Sequence, residues 1–158
     1  MNRTLAAAVT VLAVGTFTLG TTGAANASRN TFASEVLYGT SGLDRIHGYG
    51  GNDTVYGYGY HDELWGDDGN DTLHGGKGDD RLYGGAGNDK LYGGYGYNSL
   101  STGTGTDRAI GGPGQDVVVV YRGRYADYVD CGGAYDTVYV KGTGTGPRLI
   151  GCERIIRS

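Results

Sequence analysis

The chain has 158 residues, a length typical of a single domain, and a formal net charge of −4. Thirty-three residues are glycine, and the stretch from residue 39 to 119 holds twelve acidic but only five basic side chains. This acidic excess argues against a nucleic-acid-binding face, which needs basic groups opposite the phosphates, and favours a cation as partner.

The N-terminal segment, residues 1–27, has the layout of a secretory signal peptide. A short basic start at Arg3 precedes an apolar run, and Ala25 and Ala27 provide the small residues of a cleavage site. A membrane anchor is the alternative, but the run is short and rich in Thr and Gly for a membrane span. We therefore predict cleavage after Ala27, a secreted mature chain, and no membrane span within it.

A nine-residue repeat fills the chain from Gly39 to Val119. Of its nine consecutive units, eight have glycine in column one, eight have glycine in column four, and eight have aspartate in column six. An apolar residue holds column eight in every unit, a phase that a flexible Gly-rich linker would not keep. Residues 28–38 precede the array as a lead-in with a partial unit, in which Leu37 is in phase with Ile46.

Each unit combines a strand triplet with a turn. Columns seven to nine alternate polar, apolar and polar, which predicts a short half-buried strand, and the glycines of columns one to six permit a tight turn. Two units then make one coil of a flattened spiral, whose coils stack about 4.8 Å apart. We predict an all-β parallel solenoid with a thin core of column-eight side chains.

The spiral places the column-six aspartates in two stacks. Asp53, Asp71 and Asp89 follow one another at one edge, and Asp62 and Asp80 lie at the other. Stacked carboxylates repel, at a cost of about 1 kcal/mol or more for each adjacent pair, so a cation is needed between them. Carboxylate and turn carbonyl oxygens are the donors that Ca²⁺ prefers.

These units resemble the nonapeptide Gly-Gly-x-Gly-x-Asp-x-apolar-x of RTX, or haemolysin-type, calcium-binding proteins. Residues 71–89, DTLHGGKGDDRLYGGAGND, match the longer signature of that family throughout. The resemblance implies a parallel β-roll of nonapeptide repeats over residues 39–119, in which Ca²⁺ binds between successive six-residue turns and the array folds when calcium is present. Carried over by column, it implies six aspartates as calcium ligands: Asp53, Asp62, Asp71, Asp80, Asp89 and Asp107.

Three units depart from the pattern where a cation would bind. Asn98 lacks the carboxylate, so a site that uses it is expected to be weak or absent. Tyr60 replaces the column-four glycine before Asp62, and Thr102 replaces the column-one glycine in the unit of Asp107. We expect these last two units to bind calcium less well than their neighbours.

After Val119 the phase slips by two residues and the repeats decay. Residues 120–158 hold two further units without the column-four glycine, in which we expect no calcium. Cys131 and Cys152 both lie here; an even pair in an exported chain favours a disulfide, with free or metal-binding thiols as alternatives. The ending LIGCERIIRS resembles the disulfide-bearing ending of secreted actinobacterial members of the family, and we expect it to cap the last coil.

Column nine is rich in aromatic residues. The spiral places Trp65 and Tyr83 on one sheet, and Tyr56 and Tyr92 on the other. We interpret them as cross-strand packing, with binding of a polysaccharide or a cell surface as the alternative function. The motifs His-Glu-x-x-His and Gly-x-Ser-x-Gly are absent from the sequence, so we predict no enzyme activity.

Overall fold

The computed structural model of the chain describes residues 32–121, 123 and 126–158, which form fourteen β-strands. The predicted signal peptide, residues 1–27, lies outside the described residues. Within the described part, no helix is long and apolar enough to cross a membrane. The strands in chain order are β1 (Val36–Tyr38), β2 (Arg45–His47), β3 (Thr54–Gly59), β4 (Glu63–Asp68), β5 (Thr72–Lys77), β6 (Arg81–Ala86), β7 (Lys90–Tyr95), β8 (Ser99–Thr104), β9 (Arg108–Gly112), β10 (Val117–Tyr121), β11 (Tyr128–Gly132), β12 (Thr137–Lys141), β13 (Arg148–Ile150) and β14 (Arg154–Arg157).

The strands alternate between two parallel sheets. The odd-numbered strands form one seven-stranded sheet in the order β1-β3-β5-β7-β9-β11-β13, and the even-numbered strands form the other from β2 to β14. Each strand pairs in parallel with the strand two places along the chain. The chain is therefore a continuous spiral of stacked coils, and the predicted all-β parallel β-roll is confirmed.

The register of the sheets follows the repeat. Val55 pairs with Leu73, and Leu73 pairs with Leu91, so each residue meets the equivalent residue two units further along. The coil is longer by two residues where Arg108 pairs with Tyr128. The slip that the sequence shows after Val119 is thus absorbed as a longer coil, and the parallel pairing continues beyond it.

The strands are longer than the predicted triplets. Strands β3 to β8 have six residues, because pairing continues through columns one to three of the next unit. Tyr58 still pairs with Gly76, although the backbone there bends into the left-handed region, with φ of 77° at Tyr58 and 109° at Gly76. The bend carries the strand around the edge of the roll without ending the ladder, so the unpaired turn shrinks to columns four to six.

The core is the predicted line of column-eight side chains. All of them are fully buried, and they stack coil upon coil between the two sheets: Leu37, Ile46, Val55, Leu64, Leu73, Leu82, Leu91, Leu100, Ala109, Val118, Val129 and Val138. One small aliphatic side chain in each nine-residue unit gives a thin core, as expected from the repeat.

Column one also points inward, which the sequence analysis did not predict. Glycine leaves this second line empty in most coils, whereas Val120, Cys131 and Val140 fill it with apolar side chains near the C-terminus. The last coils therefore have a wider apolar core. The structure joins Cys131 in β11 to Cys152, which follows β13, in a disulfide with a Cα–Cα distance of 5.3 Å. A loop of this size contributes about 3 kcal/mol to stability.

Candidate metal centre

The column-six side chains lie buried at the two edges where the sheets meet. As predicted, alternate units share an edge. We name the edges after one member each. The Asp71 edge carries Asp53, Asp71, Asp89, Asp107 and Asp127, and the Asp80 edge carries Asp44, Asp62, Asp80, Asn98, Asp116 and Asp136.

Each carboxylate is held by the backbone of the preceding coil. The amide nitrogen of Asp53 donates to Oδ1 of Asp71 at 2.7 Å, and that of Asp71 donates to Oδ1 of Asp89 at 2.9 Å. The same bond joins Asp62 to Asp80 at 2.8 Å on the other edge. Sequence reasoning did not foresee this ladder, because it considered the repulsion between carboxylates and not the amide groups between them. The ladder fixes one oxygen of each carboxylate and turns the other into the roll.

The second carboxylate oxygen is buried without a partner. Among the described residues, Oδ2 accepts no hydrogen bond in eight of these aspartates: Asp53, Asp62, Asp71, Asp80, Asp89, Asp107, Asp116 and Asp136. A buried, unpaired carboxylate oxygen is costly unless a proton or a cation satisfies it. The two edges thus carry rows of oxygen atoms with unused acceptor capacity.

In six of these aspartates, all but Asp107 and Asp136, a backbone carbonyl from the next coil faces Oδ2 across the column-one glycine. A Cβ built on Gly57 would lie 2.5 Å from Oδ2 of Asp62 and 2.7 Å from the carbonyl oxygen of Gly75. On Gly75 it would lie 2.5 Å from Oδ2 of Asp80 and 2.6 Å from the carbonyl oxygen of Gly93. These glycines have ordinary φ values, so space and not backbone conformation excludes a side chain. The oxygens converge on a small volume, which we call the cradle, and they form the hard donor set that suits Ca²⁺.

Five of the six predicted ligands line such a cradle. Asp53, Asp62, Asp71, Asp80 and Asp89 each face a column-one glycine and a carbonyl oxygen from the next coil. The residues that carry the binding hypothesis are therefore brought into one repeated geometry, three at the Asp71 edge and two at the Asp80 edge.

Asp107 differs from the other predicted ligands. Its Oδ2 is also unpartnered, but Thr102 stands at the column-one position, where its side chain occupies the cradle. Thr102 Oγ1 is itself buried without a hydrogen-bond partner among the described residues. The replacement noted in the sequence thus removes the empty volume and leaves two oxygen atoms unsatisfied.

Asp116 lines a cradle that the predicted ligand set omits. A Cβ on Gly111 would contact Oδ2 of Asp116 and would lie 2.6 Å from the carbonyl oxygen of Cys131. The signal was present in the sequence, because the unit GGPGQDVVV has glycine in columns one and four and aspartate in column six. The neighbouring unit carries Asn98 and not aspartate, however, and from the sequence a site that uses Asn98 is expected to be weak or absent.

Asn98 continues the ladder without a charge. Its Oδ1 accepts from the amide of Asp80 at 3.1 Å, and its own amide donates to Oδ1 of Asp116 at 2.8 Å. Nδ2 takes the place of the second carboxylate oxygen and donates to the carbonyl of Gly94 at 3.4 Å. A hydrogen-bond donor at this point would compete with a cation, and the weak or absent site at Asn98 stays a prediction.

Burial raises the pKa of the stacked carboxyl groups. Desolvation is the main cause, opposed by the hydrogen bond from the backbone amide and assisted by the charge of neighbouring aspartates. The pKa rises to about 7 for Asp62 and Asp107, and to about 6 for Asp71 and Asp89. Without a cation, these groups therefore titrate between about pH 6 and pH 7, and not near pH 4 as an unperturbed aspartate does.

The two ends of the Asp80 edge are closed by other side chains. The amide and Oγ1 of Thr40 donate to Oδ2 of Asp44 at 2.6 Å and 3.1 Å. Oδ2 of Asp44 therefore has hydrogen-bond partners, whereas the same oxygen is unpartnered in the aspartates further along this edge. At the far end, Oε2 of Glu153 accepts from the amide of Asp136 at 2.9 Å, in the place of a further aspartate. The row of open oxygens on this edge thus has a defined beginning and end.

A second ladder runs along the Asp71 edge through column five. Oδ1 of Asn52 accepts from the amide of Asn70 at 2.8 Å, and Oδ1 of Asn70 accepts from the amide of Asn88 at 2.7 Å. Oδ1 of Asn88 accepts in turn from the amide of Thr106 at 2.8 Å. The sequence contains the signal, which is asparagine in column five of alternate units, and the predicted spiral already places these units at one edge. The hydrogen bonds themselves depend on how the side chains meet the amides of the next coil, which only the stacked coils show. This ladder stiffens the turns that carry the cradles.

The column-nine aromatic residues form the predicted stacks. On the even sheet, the ring of Trp65 lies 4.2 Å from that of His47 and 5.4 Å from that of Tyr83. On the odd sheet, Tyr56 and Tyr92 lie 4.8 Å and 4.7 Å from His74, one on each side. The rings are nearly parallel, so their faces are covered by one another.

Side chains alone do not complete a metal site in the described residues, since no group of three or more His, Cys, Asp or Glu comes together there. The carbonyl oxygens of the column-one residues lie where they could complete a cation site together with Oδ2. The fold and the donor set together define the class of protein. It is a parallel β-roll whose turns each present one carboxylate oxygen and one carbonyl oxygen to a shared cradle.

The comparison with known families agrees with this class. The RTX calcium-binding nonapeptide repeat matches the chain four times, over residues 31–64, 56–91, 65–100 and 83–118. These matches cover more than half of the chain, and the chain belongs to this family. No curated protein and no solved structure gives a significant match.

Proposed function

We propose that this protein is a secreted calcium-binding β-roll whose folding is coupled to calcium. The cradles of Asp53, Asp62, Asp71, Asp80 and Asp89 would hold the ions, with Asp116 as a sixth candidate. Asp107 stays a predicted ligand, weakened by Thr102. The observation that carries the proposal is the convergence of an unpartnered Oδ2 and a carbonyl oxygen on every column-one glycine of these units. Bound Ca²⁺ would neutralise the stacked carboxylates.

Coupled folding follows from the balance of forces in the roll. Over most of the roll the core is one side chain wide, and the buried carboxylates oppose folding when they are ionised and unpaired. The cradles use oxygens from successive coils, which lie far apart along the sequence, so they do not exist in the unfolded chain. Calcium therefore adds its binding free energy to that of folding. A dissociation constant of roughly 10⁻⁴ to 10⁻³ M suits an extracellular module, and the predicted signal peptide supports export.

Circular dichroism tests this function directly. The purified chain in EDTA is titrated with CaCl₂, and a parallel sample is titrated with MgCl₂ at the same ionic strength. We expect a gain of β signal near millimolar calcium and a much smaller gain with magnesium, whose octahedral preference and tight hydration fit these cradles poorly. A β spectrum that is complete in EDTA and unchanged by calcium would refute calcium-coupled folding.

Binding of a polysaccharide or cell surface by the column-nine rings is the second candidate function. Trp65, Tyr83, Tyr56 and Tyr92 lie on the sheet faces, but the stacking of their rings favours a role in holding the sheets together. A pull-down on insoluble polysaccharides with Trp65→Ala and Tyr83→Ala variants separates the two roles. Retention of the parent chain and loss of both variants would support binding through these rings. We expect no enzyme activity from the roll.

A further inference from the structure

The two edges of the roll differ in what they expose. Five tyrosines among the described residues are more than half-exposed, and all of them lie on the Asp80 edge: Tyr58, Tyr60, Tyr95, Tyr97 and Tyr135. The Asp71 edge presents the closed asparagine ladder in their place. A repeat that builds both edges from the same unit gives no structural reason for this asymmetry. Exposed tyrosines concentrated on one edge indicate an interaction surface.

A cleft of about 450 Å³ opens on the Asp80 edge, at the point where the residues of its column-five and column-six hydrogen-bond ladders change. In column five, Oδ1 of Asp79 accepts from the amide of Tyr97 at 2.8 Å. Within the described residues, the side chain of Tyr97 does not accept a similar bond from the next coil, so the column-five ladder of this edge ends there. In column six, the neighbouring Asn98 replaces the aspartate. The side chains that line the cleft include Asp79, Arg81, Tyr97, Gln115, Tyr135 and Arg154. Its floor also borders the column-six residues Asp80, Asn98 and Asp116 of the candidate metal centre.

The two tyrosines of the cleft have open ring faces. Tyr97 is 62% exposed and Tyr135 is 59% exposed, and no ring contact involves either of them within the described residues. They occupy the column-five positions of coils two steps apart, with Gln115 between them, so they stand about 10 Å apart along the roll axis. The column-nine rings, by contrast, have no uncovered faces inside their stacks.

The polar groups of the cleft are of mixed character. Asp79 offers carboxylate oxygens, Gln115 offers both an amide donor and an acceptor, and Arg154 offers a guanidinium. Open aromatic faces beside mixed donors and acceptors match a chain of sugar residues, which presents apolar C–H faces and hydroxyl groups in alternation. A purely anionic or purely apolar ligand would leave half of these groups unsatisfied.

We infer that this cleft, between Tyr97 and Tyr135, binds a segment of a polysaccharide lying along the roll axis. The sugar rings would stack on the two tyrosines, and Asp79, Gln115 and Arg154 would bind the hydroxyl groups between them. This function goes beyond calcium binding and differs in location from the column-nine hypothesis. It needs only the folded roll, which the proposed calcium sites stabilise.

Affinity electrophoresis tests the inference on the full chain, in native gels with calcium that contain hydroxyethylcellulose, glycol chitin, xylan or polygalacturonate. We expect retardation in at least one gel. Tyr97→Ala and Tyr135→Ala should each weaken the retardation about tenfold or more, the range for an anchor side chain. Tyr95→Ala, at a tyrosine of similar exposure that does not line the cleft, is the matched control and should bind like the parent. Circular dichroism verifies that every variant is folded.

The outcomes separate this inference from the calcium proposal. A folded parent chain that is retarded in none of the four gels overturns the inference, as does equal retardation of the parent and both cleft variants. Loss of binding in Trp65→Ala but not in Tyr97→Ala assigns the sugar to the column-nine rings and overturns it as well. Retardation that needs Tyr97 but persists in EDTA supports the cleft while it refutes calcium-coupled folding.

Discussion

The backbone amide of Asp71 donates to Oδ1 of Asp89, which belongs to the next coil on the same edge. This bond explains how carboxylates can stack in a parallel roll. One oxygen of each is neutralised locally by an amide dipole, and only the other faces the cradle of the column-one glycine. A proton or a cation is thus needed by only one oxygen of each carboxylate and not by both.

Replacing Asp71 by asparagine tests the roles of its two carboxylate oxygens separately. Asp71→Asn keeps the acceptor for the amide of Asp53, as Asn98 does for Asp80, but removes the charge. We expect the calcium midpoint to rise several-fold, while the metal-free chain gains about 1 kcal/mol because a buried charge is lost. Calcium titration measures the midpoint, and the β signal in EDTA, followed by circular dichroism, measures the second effect. Asp68→Asn, at an exposed position, has the same charge change and should alter neither the calcium midpoint nor the stability of the metal-free chain. Equal effects of the two variants would contradict a calcium site at Oδ2 of Asp71.

A methyl group in the cradle should block it. In Gly75→Ala, the new Cβ meets Oδ2 of Asp80 and the carbonyl of Gly93, at distances that force one of them to move. We expect about 1–3 kcal/mol of destabilisation and the loss of calcium at this turn. Gly146→Ala is the control, because nothing lies within 4 Å of a Cβ there, and it should change stability by less than about 0.5 kcal/mol. Unchanged calcium stoichiometry in Gly75→Ala would argue against this donor set.

The reverse change should create a cradle. Thr102→Gly removes the side chain that occupies the column-one position in the unit of Asp107, whose Oδ2 is already unpartnered. We expect one additional calcium ion per chain, measured by isothermal titration calorimetry. Thr104→Gly, at an exposed position of the same unit, is the control for the added backbone freedom. If both variants bind as many ions as the parent, the column-one residue does not decide occupancy.

The stability of the metal-free chain should fall as the pH rises. The pKa of Asp62 is about 7 and that of Asp71 about 6 in the folded roll, above the usual value of an unfolded aspartate. The folded state therefore binds protons more tightly, and this contribution is complete below about pH 4 and lost as the pH passes through 6 to 7. Circular dichroism in EDTA at pH 5 and pH 8 tests this, and we expect the larger β signal at pH 5. With saturating calcium we expect the dependence to weaken or reverse, because the ion needs the ionised carboxylate. A metal-free β signal that increases with pH would contradict it.

Much of the architecture was accessible from the sequence. The nine-residue phase from Gly39 to Val119 determined the parallel roll, the column-eight core and the division of the aspartates between two edges. It did so because a strict period forces every unit into the same local geometry, and two such units close one coil. The slip after Val119 and the pairing of Cys131 with Cys152 were also predicted, and the structure contains both.

Other features were decided only by the tertiary structure. The inward direction of column one, the amide ladder through Asp71 and the asparagine ladder through Asn70 all join residues of successive coils, so they depend on the register between coils. The cradle of Asp116 and the cleft beside Tyr97 arise from the same cause. The period identifies which residues repeat, but the side-chain direction at each edge, and hence which oxygens meet across a glycine, is fixed only when the coils stack.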